Sequence, residues 1–91
     1  MQAAVKIYVS ATCPYCMWAR QLLNNKGVTY TVFQVDQDDN LRMEMEDLSG
    51  RYTVPQIFVG DVHVGGYDDM AALDARGGLD PLLSGEAAQA C

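Results

Sequence analysis

The feature that most constrains how this chain can fold is a junction near its start. Val5-Lys6-Ile7-Tyr8-Val9 is β-branched and aromatic with partial alternation, which predicts a strand. Shortly afterwards Pro14 opens a helical pattern in which Cys16, Ala19 and Leu23 share a stripe widened by Leu22. Asn24-Asn25-Lys26-Gly27 closes that helix, with Gly27 the left-handed cap residue, and Val28 to Val35 (VTYTVFQV) reads as a second strand. Strand, helix, strand in that order implies a right-handed crossover and parallel pairing.

The rest of the pattern completes a single domain. Asp36 to Asn40 is a polar break rich in capping residues, after which Leu41, Met45 and Leu48 mark a helix ending near Ser49-Gly50. Pro55 starts a third strand over Gln56 to Val59, and Gly60-Asp61 turns it into a fourth, Val62 to Val64, as a hairpin. Past the Gly65-Gly66 breaker, Asp68-Asp69 opens a short helix that Gly77-Gly78 stops, and Leu79 to Leu83 adds one apolar turn. The expected fold is α/β, a four-stranded mixed β-sheet flanked by three helices. The domain spans 1–83, with 84–91 (SGEAAQAC) read as a flexible tail.

At 91 residues the chain supports one core. A net charge of -6 argues against nucleic acid or an anionic membrane as the main partner. No apolar run approaches the roughly 20 residues of a membrane span. MQAAVKIYV has no signal-peptide layout, so the expected location is cytoplasmic. Three cysteines, an odd number, do not suit a disulfide-stapled scaffold. Cys13-Pro14-Tyr15-Cys16 lacks the second CxxC or HxxxH of a zinc site, His63 being the single histidine and Cys91 the one distant cysteine. No metal is expected.

Proline is favoured at the first position inside a helix, which makes Cys13 the N-cap. Its sulfur then faces the unpaired N–H groups of Tyr15 and Cys16 and the positive end of the helix dipole, which together favour thiolate over thiol. Cys13 is the candidate nucleophile. Cys16, one turn on and on the core-facing stripe, is the candidate resolving thiol. The competing reading, two small buried residues with no chemistry, fits poorly with CxxC at a strand-to-helix junction.

These residues give the chain a resemblance to the glutaredoxins. Cys13-Pro14-Tyr15-Cys16 resembles the family's dithiol motif, and Thr53-Val54-Pro55, Gly65-Gly66 and Asp68-Asp69 match its other signatures in order and spacing. ALDARGGLDPLL, from Ala72 to Leu83, resembles the end of the bacterial glutaredoxin 3 subgroup, and the likeness runs from about residue 4 to 83. The resemblance implies a thioredoxin-like fold and a cis bond before Pro55. It implies that Val54 pairs its backbone with the cysteinyl unit of glutathione, as in strand addition. Asp68 and Asp69, helix-capping residues on any reading, would meet the γ-glutamyl end. Thr53, Gly66 and the ring of Tyr15 complete the implied glutathione site.

One departure stands out. Many glutaredoxins carry a lysine three residues before the first active-site cysteine, where this chain has Ser10. Arg51 and Arg42 are the candidates to meet the glycine carboxylate instead, Arg51 being better placed. Trp18 is expected either on the exposed side of the first helix or in the core, His63 as an exposed strand residue, and Cys91 as an inert or intermolecularly pairing thiol.

The activity implied is glutathione-dependent thiol–disulfide exchange, with glutathione as co-substrate. Its other partners would be glutathionylated and disulfide-containing proteins, ribonucleotide reductase a candidate among them, and the chain would act as a monomer. Two alternatives stay open: a redoxin reduced by thioredoxin reductase, against which Asp68-Asp69 speaks, and a dimeric [2Fe–2S] carrier, against which Pro14 speaks.

Overall fold

The computed structural model describes residues 3–85. In chain order the elements are β1 (Val5–Val9), α1 (Pro14–Asn25), β2 (Thr31–Gln34), α2 (Asp39–Ser49), β3 (Gln56–Val59), β4 (Val62–Gly65), α3 (Tyr67–Ala75) and α4 (Leu79–Ser84). The sheet order is β2-β1-β3-β4, with β1 and β2 parallel and the two other pairings antiparallel. This is the mixed four-stranded sheet expected, and the crossover through α1 sets its parallel half.

Three boundaries carry physical content. β2 is shorter than the apolar run suggested, because its pairing with β1 runs only from Lys6 opposite Thr31 to Val9 opposite Gln34, and residues 28–30 precede the paired stretch. Asp38 caps α2 by accepting from the Asn40 N–H at 2.9 Å, and Gly50, at φ 70°, closes it in the left-handed region. The apolar turn after Gly78 is a fourth helix, so four helices flank the sheet where three were expected. Pro81 sits in its first turn, where a missing N–H costs nothing, and Leu79, Leu82 and Leu83 place one buried stripe on the core. Ser84 is the last residue of α4. Cys91, with the rest of the segment from 86 on, lies outside the described residues.

Alternation along the central strands divides the core in two. Val5, Ile7 and Val9 of β1 join Ile57 and Val59 of β3 under Cys16, Ala19 and Leu23 of α1, Met70 of α3 and the α4 leucines. Tyr8 and Phe58 point to the opposite face and pack with Val35 and Met45 of α2. The sheet is therefore covered on both sides, as a parallel crossover requires. No described helix is long and apolar enough to cross a membrane.

Because α4 carries part of the main core, Leu79→Ala should act as a core truncation and not as a loss of a frayed end. Leu79 is fully buried, and such a change costs about 2–5 kcal/mol, a large share of the roughly 5–15 kcal/mol of a typical domain. Urea unfolding should show a clear drop in midpoint. An unchanged midpoint would mean that α4 is not part of the cooperative unit.

Candidate active site

The site forms where three chain segments meet at one end of the sheet. The loop from β1 into α1 is tied to the end of β2 by the Ala11 N–H, which donates to Asp36 Oδ2 at 3.2 Å. Cys13 follows as N-cap of α1 in extended backbone geometry, with Pro14 at the first helical position. The Cys16 N–H donates to Cys13 Sγ at 3.2 Å, so the sulfur takes the place of the usual capping oxygen. Cys13 Sγ also lies 3.7 Å from the carbonyl oxygen of Val54, to which the thiol donates.

The two sulfurs are unbonded and differ sharply in setting. Cys13 is half-buried, whereas Cys16 is 2% exposed in the core beneath α1. Burial, reinforced by the hydrogen bond with Cys13, pushes the Cys16 thiol up to about 12. A half-buried thiol at the helix cap and a buried thiol one turn on are thus separated by position.

Opposite Cys13 lies a cleft of about 230 Å³ between the segment 51–56 and the start of α3, with Tyr15 on its rim. It brings together Tyr15, Arg51, Thr53, Val54, Pro55, Gly66, Asp68 and Asp69, and the Val54–Pro55 bond is cis. Arg42 is not brought in: it sits in the first turn of α2, outside the cleft lining. Asp69 Oδ2 accepts from the Gly66 N–H at 3.0 Å, capping α3, and from Arg51 Nη1 at 2.9 Å. Arg51 first and then the Gly66 N–H hold the Asp69 carboxyl below its usual range. Gly65, at φ 113°, has no room for a side chain, since a Cβ there would run into this carboxylate.

Two residues at the site were not anticipated. Tyr67, half-buried, joins the exposed Tyr15 and Trp18 in an aromatic cluster, with Tyr15–Trp18 centroids 5.1 Å apart and Trp18–Tyr67 5.9 Å. The i, i+3 spacing of Tyr15 and Trp18 was readable, but the approach of Tyr67 depends on α3 docking against α1. Trp18 is therefore a surface residue, 49% exposed, packed against Tyr15 of the cleft rim. Gln56 is the second, and it is fully buried in the first position of β3. His63, expected to be exposed, is partly buried instead and bonds to Gln56.

A capped, half-buried cysteine in contact with Val54 of such a cleft and followed by a buried one, on this mixed sheet, defines a thiol–disulfide redox protein of thioredoxin-like fold. The comparisons with known proteins agree. The family model described as Glutaredoxin matches residues 5–64. The chain is 56% identical over 81 residues to Glutaredoxin 3 of Escherichia coli K12, covering 89% of this chain and 98% of that protein. The solution structure of a Brucella melitensis glutaredoxin superposes with a TM-score of 0.81 at 47% identity, covering 91% of this chain and 90% of the other. A crystal structure of a buckwheat glutaredoxin–glutathione complex gives 0.84 at 27% identity, covering 94% and 81%. The chain belongs to the glutaredoxin family, and it is accordingly a thiol–disulfide oxidoreductase.

Asp69→Ala should remove a helix cap and an exposed ion pair together. The expected loss is about 1 kcal/mol at neutral pH, mostly from the cap, since the pair is half-exposed and screened. A carboxyl with a lowered folded-state pKa stabilises above its unfolded value, near 3.8, and loses that contribution as pH falls through the lower folded value. The gap between wild type and variant should therefore shrink in urea titrations run at progressively lower pH below 3.8. A gap that stays constant would rule out the carboxylate as its source.

Proposed function

We propose that the protein reduces protein–glutathione mixed disulfides with Cys13 as nucleophile, and protein disulfides through Cys13 and Cys16. The observation that carries this reading is the placement of Cys13 Sγ, capped by the Cys16 N–H, at the mouth of a cleft lined by Val54 on one side and the first turn of α3 on the other. The complex of the buckwheat relative shows that a protein of this fold and family holds glutathione. In this reading the Val54 backbone pairs with the cysteinyl unit, the first-turn N–H groups of α3 and Asp68 face the γ-glutamyl end, and Tyr15 covers the ligand. Arg51, the cation in this cleft, meets the glycine carboxylate, the role for which Ser10 offers no charge.

In the one-thiol route the Cys13 thiolate attacks the glutathione sulfur of the mixed disulfide. The old S–S bond breaks, the protein leaves as thiolate and takes up a proton, and Cys13 carries the glutathione. A second glutathione thiolate attacks that sulfur, giving glutathione disulfide and Cys13 thiolate. In the two-thiol route Cys13 attacks a protein disulfide, Cys16 closes on Cys13 to free the second protein thiol, and two glutathiones reduce the Cys13–Cys16 bond. Exchange rates follow the thiolate fraction of the attacking group. In the reduced protein, burial, the largest cause, raises the Cys16 pKa and makes it the weaker nucleophile of the two.

Cys16→Ser should therefore retain reduction of a glutathionylated peptide in an assay coupled to glutathione reductase, and Cys13→Ser should lose it. Activity surviving in the Cys13 variant would sink the mechanism. Turnover with thioredoxin reductase but none with glutathione would replace the reading altogether. In the same assay Arg51→Met should raise KM for the glutathionylated peptide by roughly tenfold, with kcat little changed, as loss of a charge-assisted contact predicts. An unchanged KM would remove Arg51 from the site.

A further inference from the structure

Gln56 is the one fully buried polar side chain among the described residues, at 1% exposure. It occupies the first position of β3, directly after the cis Val54–Pro55 bond. Burying a carboxamide is costly unless its donors and acceptor are met, and here each is. Gln56 Nε2 is 3.0 Å from the Thr53 carbonyl oxygen and 3.3 Å from Thr53 Oγ1, while Oε1 is 2.7 Å from His63 Nε2. A carbonyl oxygen only accepts, so the atom facing it must be the amide nitrogen, and the amide oxygen must face His63. His63 then has to donate, which requires a hydrogen on Nε2.

His63 is held for that task by its own packing. It lies opposite Phe58 in the β3–β4 register, on the same face of the sheet as Gln56, and its ring stacks on Phe58 with centroids 4.8 Å apart. A register shift between Ile57 and Phe58 interrupts the regular β3–β4 pairing at this point. The result is a continuous chain, His63 to Gln56 to Thr53, reaching the segment whose next carbonyl contacts Cys13 Sγ.

We propose that Gln56 is a positioning residue for the exchange site: oriented by His63, its buried carboxamide holds Thr53 and so fixes Val54 against Cys13. Nε2 donates whether the ring is neutral or imidazolium, so the chain survives a change in His63 charge. Burial lowers the His63 pKa, the charge of Arg51 adds to that, and Asp69 opposes it, so the ring is held towards its neutral form. The part of the proposal that concerns turnover rests on the glutathione reading above; the hydrogen-bond chain itself does not.

The test has two arms. Nitrogen-15 NMR of the wild-type protein should show His63 as the Nε2–H tautomer, and amide exchange at Thr53 and Val54 should accelerate in Gln56→Met. In the glutathione-coupled assay Gln56→Met should raise KM for a glutathionylated peptide about fivefold, the worth of one ordinary hydrogen bond, with kcat changed less than twofold. The double variant Gln56→Met/His63→Phe should match Gln56→Met alone, since both act through the same amide. A neutral His63 carrying its hydrogen on Nδ1 would overturn the chain, and needs no variant to be detected. Unaltered exchange and KM in a folded Gln56→Met, or additive effects in the double variant, would overturn the positioning role. A wild type that is inert on the glutathionylated peptide would sink the glutathione reading, and the tautomer and exchange data would still decide the chain.

Discussion

The hydrogen bond from the Cys16 N–H to Cys13 Sγ ties the architecture to the chemistry. Every helix start leaves N–H groups unsatisfied, and most helices meet them with an oxygen. Here a sulfur serves, so the group that starts α1 is also the thiol proposed as the nucleophile. The same hydrogen bond sets the second thiol's position, because a residue three places past the cap on this helix turns into the sheet. One thiol is half-open and the other is 2% exposed, from a single backbone arrangement.

The facing wall of the site depends on a different kind of coupling. Asp69 makes contacts within the protein, on the Gly66 N–H and on Arg51. That removes it as a free anion in the cleft and leaves Arg51 oriented there beside the start of α3. In a chain of net charge -6, the pair with Asp69 holds one guanidinium in place among the carboxylates of Asp68 and Asp69 that line the same cleft. Asp68, its neighbour on the same cleft, is exposed and takes no part in that ion pair. The two adjacent aspartates therefore divide into one that arranges the protein and one that faces outward.

Local chemistry made much of this legible. Pro14 after Cys13 located the helix start, Gly27 and Gly50 its and α2's ends, and the alternation of Val5, Ile7 and Val9 the face of β1 that meets α1. What escaped the reading was tertiary. Leu79 to Leu83 has a stripe too short to announce a helix, and only the core beneath it makes one of it. Tyr67 is remote in sequence from Tyr15 and Trp18, so their cluster exists only once α3 docks. His63 sits in an alternating hairpin and by pattern faces solvent, but the register shift in β3–β4 and the ring of Phe58 draw it in. Of the two arginines the sequence favoured Arg51 by its place before the Thr53-Val54-Pro55 loop, and the cleft lining holds Arg51 and not Arg42.

The two faces of the sheet divide the work along the same line. The face under α1, α3 and α4 is apolar and holds the thiol helix against the strands. The face under α2 is where the sheet admits polar side chains, with the Tyr8 hydroxyl donating to Glu44 at 3.0 Å and Gln56 bonded to Thr53 and His63. β3 belongs to both, since Ile57 and Val59 point to the first face and Gln56 and Phe58 to the second. Its leading end runs directly into the segment that contacts Cys13. Packing on the far side of the sheet is in this way connected to the sulfur through one strand, and a hydrogen-bonded amide holds more tightly to direction than an apolar side chain of the same size could.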